Sequence, residues 1–126
     1  MRRILAILIV CMNSAFGFGQ MAEFFVHKPT HKFPRTVEGA QLTHTFEVIN
    51  NGDVPLIISD YDVSCKCTKA DLPGPIAPGQ FGLLTIYFDT NEKYGLQDRT
   101  VILHTNTKRK TEQVHFKVYV IPAKDS

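Results

Sequence analysis

Cysteine is scarce in this chain of 126 residues, with Cys11, Cys65 and Cys67 the only three. That is too few for a fold built on a disulfide framework. Long apolar runs are missing as well: Ile4 to Met12 is the longest near the start and is too short to span a bilayer as a helix. No segment keeps a helical period over ten residues, which argues against a helical bundle. The glycines are scattered at turn positions, so there is no glycine-rich loop to cradle a phosphate. No charge of one sign dominates: Lys and Arg total 14 and Asp and Glu 12. A chain tuned to nucleic-acid phosphates or anionic lipid would carry a basic excess. No Asn stands at the spacing of a glycosylation acceptor.

The first residues, "MRRILAILIVCMNSAFGFGQ", have the layout of an export signal. Arg2 and Arg3 form a positive start, the apolar stretch follows, and Gly17 and Gly19 supply the small residues of a peptidase site. We place the cut between Gly19 and Gln20, leaving residues 20–126 as a single domain. Removing residues 1–19 takes Lys and Arg from 14 to 12 and leaves Asp and Glu at 12, so the exported chain is formally neutral. It also removes Cys11. A lipid-anchored reading of Cys11 fails at Val10, which stands where such a signal wants Gly or Ala. The expected location is periplasmic or secreted, with no stable membrane insertion. Export makes a bond between the remaining cysteine pair chemically permissible.

The rest of the chain alternates with a period of two. "LTHTFEVI" (42–49), "GLLTIYFDT" (82–90), "RTVILHTN" (99–106) and "QVHFKVYVI" (113–121) each put apolar residues on one face. They are rich in β-branched and aromatic residues, as strands are. "VPLIIS" (54–59) is an apolar run of strand length, and "NNGD" before it carries an Asn-Gly turn signal. In "DLPGPIAPGQ", Pro78 and Gly79 suit the centre of a type II turn. "TNEKYGLQD" (90–98) reads as a polar connector, and Lys108 to Lys110 as a solvated hairpin tip. Six or seven short strands predict an all-β sandwich of two antiparallel sheets. The predicted core is Phe33, Phe46, Leu56, Ile58, Leu84, Ile86, Phe88, Val101, Leu103, Phe116 and Val118. Burying each such side chain contributes about 2 kcal/mol, enough in sum to hold a domain without a disulfide.

Taken in order, several pieces resemble one bacterial family, the domain-of-unknown-function family fifteen seventy-three. They are Asn50 to Gly52, Pro55 to Ile58, Ser64 to Thr68, Pro75 to Gly79, and Phe88 to Thr90. The resemblance runs from about Phe24 to Ile121. It implies an immunoglobulin-type sandwich, similar to major-sperm-protein and ASH domains, that is commonly exported and has no established activity. Two positions depart from the family's pattern. Lys66 stands between the cysteines where glycine is usual, and Phe33-Pro34 replaces Phe-Gly, which bends an edge strand.

The cysteines are the natural place for chemistry. In a strand, Cys65 and Cys67 would share a face with Cα atoms about 6.6 Å apart. Disulfides accept up to about 6.8 Å and favour about 5.5–6 Å, so a bond would need a buckled backbone. Lys66 makes that buckle harder than glycine would. Four readings stay open: two small partly buried residues, a strained local disulfide, a Cu(I) clip, or an active thiol exchanger. A closed zinc site would need four ligands, so no resident metal or other cofactor is expected. The exchanger reading lacks the usual Cys-x-x-Cys at a helix start.

Elsewhere the sequence offers less. His44 shares a face with Leu42 and Phe46, as a core or rim histidine would. His104 and His115 flank the Lys108 hairpin and are expected near one another across it, while His27 and His31 are expected exposed. Asp60 and Asp62 read as solvated, and Ser64 lacks the strand-to-helix elbow of a hydrolase nucleophile. No catalytic residue is assigned. The expected function is a non-enzymatic binding or scaffold module of the bacterial cell envelope with a protein partner and no nucleic acid. The alternative is a thiol-redox or Cu(I)-handling envelope protein using Cys65 and Cys67.

Overall fold

The computed structural model describes residues 20–123; the proposed signal segment and its cut before Gln20 otherwise lie outside them. Among the described residues there are nine strands and no helix. They are β1 (Phe24–Phe25), β2 (Thr30–Lys32), β3 (Thr36–Val37), β4 (Gln41–Asn50), β5 (Ile58–Val63), β6 (Thr68–Asp71), β7 (Phe81–Asp89), β8 (Gly95–Thr105) and β9 (Thr111–Ile121). One sheet runs β1-β4-β7-β6; the other runs β2-β9-β8-β5, with β3 also on β9. The result is the predicted sandwich of two sheets, with more strands than the six or seven expected.

The alternation explains the layering. Phe46 and Val48 of β4 and Leu84, Ile86 and Phe88 of β7 point inward from one sheet. Val101 and Leu103 of β8 and Val114, Phe116, Val118 and Val120 of β9 point inward from the other. All are buried, and Phe88 meets Phe116 across the gap at 5.0 Å between ring centroids. Such interdigitation of two inner faces is what holds a sandwich. Ten of the eleven predicted core residues are buried. Phe33 is the exception: it sits half-buried at the rim, edge-on to Phe116 at 5.9 Å. Ala22, Val48, Ile76, Val114 and Val120 complete the core.

Several local expectations change. "VPLIIS" is not one strand; Leu56 is buried through an isolated bridge to Ile76, and β5 begins only at Ile58. Leu56 N–H donates to Ile76 O at 2.8 Å and Ile76 N–H returns a bond at 3.0 Å. The Asn-Gly pair does not close a hairpin, because β4 and β5 belong to different sheets. Gly52 is needed there for close approach: a Cβ would lie 2.0 Å from the Met21 carbonyl oxygen. The connector "TNEKYGLQD" is shorter than expected, since Gly95 to Asp98 already belong to β8. Pro78-Gly79 behaves as predicted, with Gly79 at φ 78° and Gln80 N–H bonded to Ala77 O at 3.0 Å. β2 and β3 both pair with β9, and Pro34 lies in the break between them, on an edge as expected.

Candidate functional site

The β5–β6 connection, Ser64 to Cys67, carries the chain from one sheet to the other. The cysteines are therefore in a turn and not on a strand. The reason lies in the connection itself: only four residues separate β5 from β6, and crossing the sandwich in so short a span demands a tight bend. Cys65 O accepts the Thr68 N–H at 3.1 Å, closing a four-residue turn, and Cys67 O accepts the Asp89 N–H at 2.9 Å from β7. This brings the two Cα atoms to 5.1 Å, and the two sulfurs are joined. The extended-strand separation that made a bond difficult does not apply.

The two sulfurs differ in setting. Cys67 packs against the core cluster. Both cysteines are half-buried; the Sγ of Cys65 receives the backbone N–H of Cys67 at 3.1 Å, and that of Cys67 lies 3.9 Å from Thr68 Oγ1. Lys66 and Lys69 stand exposed beside the turn. The neighbouring Asp89 carboxylate is turned away, accepting from Gln41 Nε2 at 2.8 Å and from Asn91 N–H at 2.9 Å.

Arg99 is the residue that sequence reasoning passed over. It lies in phase with Val101 and Leu103, so its position on the inner face was written in the alternation of "RTVILHTN". Its guanidinium stands 5.7 Å from the Phe88 ring and donates to Gln97 Oε1 at 2.6 Å. Phe88 is in register with Thr68, the residue after Cys67. Among the described residues, the Arg99 Nε is a buried donor without a partner.

The histidines fall out differently from expectation. His104 and His115 are not neighbours: His104 is opposite Thr111, and His115 is opposite Thr100. His104 pairs instead with Asp62 at 2.6 Å, on the solvated side of β5. His115 pairs with Asp98 and contacts Thr100 Oγ1 through Nδ1 at 2.7 Å. His27 is exposed, as expected, but His31 is not. His31 of β2 and His44 of β4 stack face to face, centroids 3.5 Å apart and planes within 9°, which bridges the two sheets. Phe46 lies edge-on to His44 at 4.7 Å, and Phe33 edge-on to His31 at 4.5 Å. Burial lowers the pKa of His31; burial and then the charge of His31 lower that of His44. His44 is thus the rim histidine its strand face predicted. Among the described residues, no three His, Cys, Asp or Glu side chains gather as a metal site.

A second feature is the outer face of the four-stranded sheet. Phe25, Phe81 and Leu83 are 40%, 57% and 55% exposed. Ile49 is opposite both Phe25 and Phe81, so these three form an apolar row across β1, β4 and β7, and Leu83 extends it along β7, opposite Glu47. Farther along β7 the surface turns polar through the Thr45–Thr85 hydroxyl pair. Tyr87 follows, its phenol held above its ordinary pKa chiefly by the hydrogen bond it donates to Asp71.

The sandwich and its Ser-Cys-x-Cys-Thr turn define the class: a two-sheet domain of the immunoglobulin kind. The chain belongs to the family described as "Protein of unknown function (DUF1573)", whose model matches residues 24–120. Among solved structures it is similar to a protein of unknown function from Porphyromonas gingivalis W83, at 18% identity and a TM-score of 0.69. That alignment covers 84% of this chain and 50% of that one, so the chain spans half the length of that relative. It is also similar to the ASH / PapD-like domain 7 of human CEP192, at 12% identity and a TM-score of 0.63, covering 87% of this chain and 93% of that one. At these identities the likeness is one of fold. No curated protein matches the sequence.

Proposed function

We propose that the chain is an exported binding or scaffold module of the bacterial cell envelope, periplasmic or secreted, that engages a protein partner. The observation that carries this reading is the exposed strip of Phe25, Ile49, Phe81 and Leu83. Contiguous apolar side chains on an outer sheet face mark interaction surfaces more often than isolated ones do. Large aromatics in such a strip supply contact area at modest entropic cost. The leader-like first nineteen residues and the formally neutral remainder support export and disfavour nucleic acid as the partner.

The test is a photo-crosslinking residue placed at Leu83 and, as a control, at Lys108 on the hairpin tip, in cells expressing the full chain. A defined adduct with another envelope protein is expected at Leu83 and not at Lys108, and Phe81→Ser should abolish it. Equal labelling at both positions, or an adduct with a second copy of this chain alone, would overturn the reading. Phe81→Ser removes an exposed side chain, so the fold should survive it.

One observation favours thiol chemistry as a second activity of the same module: the Cys67 N–H aimed at Cys65 Sγ.

A further inference from the structure

We infer that the Cys65–Cys67 bridge is a thiol–disulfide exchange site for protein or peptide thiols, and that Cys65 is the sulfur that carries the mixed disulfide. This deepens the second, thiol reading above and does not depend on the apolar strip, which lies on the outer face of the four-stranded sheet.

The bridge is not what shapes its turn. The Thr68 N–H to Cys65 O bond and the Asp89 N–H to Cys67 O bond already hold both cysteines in place. It closes a loop of only three residues, and a cross-link gains stabilising power with the length of chain it closes. A bond that contributes little to folding is free to be made and broken.

The surroundings distinguish the two sulfurs. A thiolate is favoured by a donated N–H and by nearby cations. Cys65 Sγ has the first in the Cys67 N–H at 3.1 Å, and the exposed Lys66, adjacent in the chain to both cysteines, puts a cation beside the turn. Because the turn's backbone bonds do not involve sulfur, that N–H stays aimed at Cys65 after the bridge opens. Of the two half-buried cysteines, Cys67 is the one that packs on the core.

The chemistry balances as follows. A substrate thiolate attacks Cys65 Sγ; the bond between the two Sγ atoms breaks, and its electron pair leaves on Cys67 Sγ, which takes a proton from solvent. A second thiolate of the substrate then attacks the substrate sulfur of the mixed disulfide. Cys65 leaves as a thiolate held by the Cys67 N–H. The substrate has lost two electrons and gained a disulfide, and the module has become a dithiol. A small-molecule disulfide of an oxidising compartment, of the glutathione disulfide class, restores the bridge by the same steps reversed.

The experiment uses the chain lacking residues 1–19. Equilibrated in glutathione buffers of graded ratio, the wild type should pass between bridge and dithiol while its circular dichroism stays unchanged. Mass spectrometry reads the two-hydrogen difference. Cys67→Ser should then react with glutathione disulfide and with iodoacetamide at least about tenfold faster near neutral pH than Cys65→Ser does. Its alkylation should titrate below the ordinary cysteine value of about 8.5. A bridge that millimolar reduced glutathione leaves intact in the folded protein would overturn the inference, as would equal reactivity of the two variants. The wild-type equilibrium needs no variant to fold, and it can fail while the Leu83 adduct survives, so the two proposals fall separately.

Discussion

Asn50 shows how much one side chain can decide. It closes the alternating run of β4 and heads the Asn-x-Gly piece, where a turn residue would be expected on the surface. Instead it is fully buried. Its Nδ2 donates to Val54 O at 2.7 Å and to Ile76 O at 2.9 Å. Its Oδ1 accepts from Gly52 N–H at 2.8 Å and from Glu23 N–H at 3.2 Å. One amide thereby joins the N-terminal segment, the β4–β5 crossing and the proline loop. Replacing it leaves Val54 O and the N–H groups of Gly52 and Glu23, all in part-buried bonds, without that partner, while Ile76 O keeps the Leu56 N–H; each lost partner costs about 1–3 kcal/mol. Asn50→Ala should therefore destabilise the domain by about 3 kcal/mol or more, read as a lower urea midpoint at unchanged slope. A midpoint within error of the wild type would show that water replaces the amide at no cost.

Among the elements, those that pair along their whole length were legible and those that pair briefly were not. β4, β7, β8 and β9 each run nine residues or more, so the period of two had room to appear. β1, β2, β3 and β6 run four residues or fewer. Strands so short carry no pattern of their own; they exist because an edge of β4, β7 or β9 offers them a ladder. Phe33 was read as core and His31 as exposed for the same reason, since His31 lies in the short edge strand β2 and Phe33 directly after it. Cys65 and Cys67 were weighed as strand residues because the change of sheet between β5 and β6 leaves no mark in composition. What was visible was that, among the described residues, only these two could carry thiol chemistry.

The His31–His44 stack ties one such edge to the opposite sheet, and its titration gives a prediction about β2 and β4 together. Both folded pKa values lie below the ordinary 6.5. Between the lowered value and 6.5 the unfolded chain binds more protons than the folded one, so stability rises with pH across that window. The stack's contribution is complete above about pH 6.5 and is lost as pH falls toward the lowered values. His27, Lys28 and Glu47 face the same hollow beside His44, so the comparison must hold them fixed. The urea midpoint of the wild type should fall more steeply between pH 7 and 5 than that of His31→Phe/His44→Phe, ranges that bracket the ordinary value of about 6.5. Parallel curves for the two proteins would mean that the imidazoles stay neutral without cost or leave the stack on protonation.

Taken whole, the molecule has two candidate sources of cohesion: the interior between the sheets and the bridge at one end. Their sizes can be compared. Closing a three-residue loop removes about 1.6 kcal/mol of unfolded-state entropy on the loop-closure model, far less than a cross-link spanning most of the chain would. Truncating a buried phenylalanine costs about 3–5 kcal/mol. Phe116 is buried, lies against Phe88 of the opposite sheet and has Phe33 at its edge. Phe116→Ala should therefore lower stability about two to three times as much as reducing Cys65–Cys67 does, measured by urea unfolding with and without a phosphine reductant. Both should leave one cooperative transition, because the interior is continuous from β4 through β9. If reduction alone unfolded the protein, the bridge would be structural, the cheap making and breaking that exchange requires would be gone, and the interior would have to be judged too weak to hold the sheets.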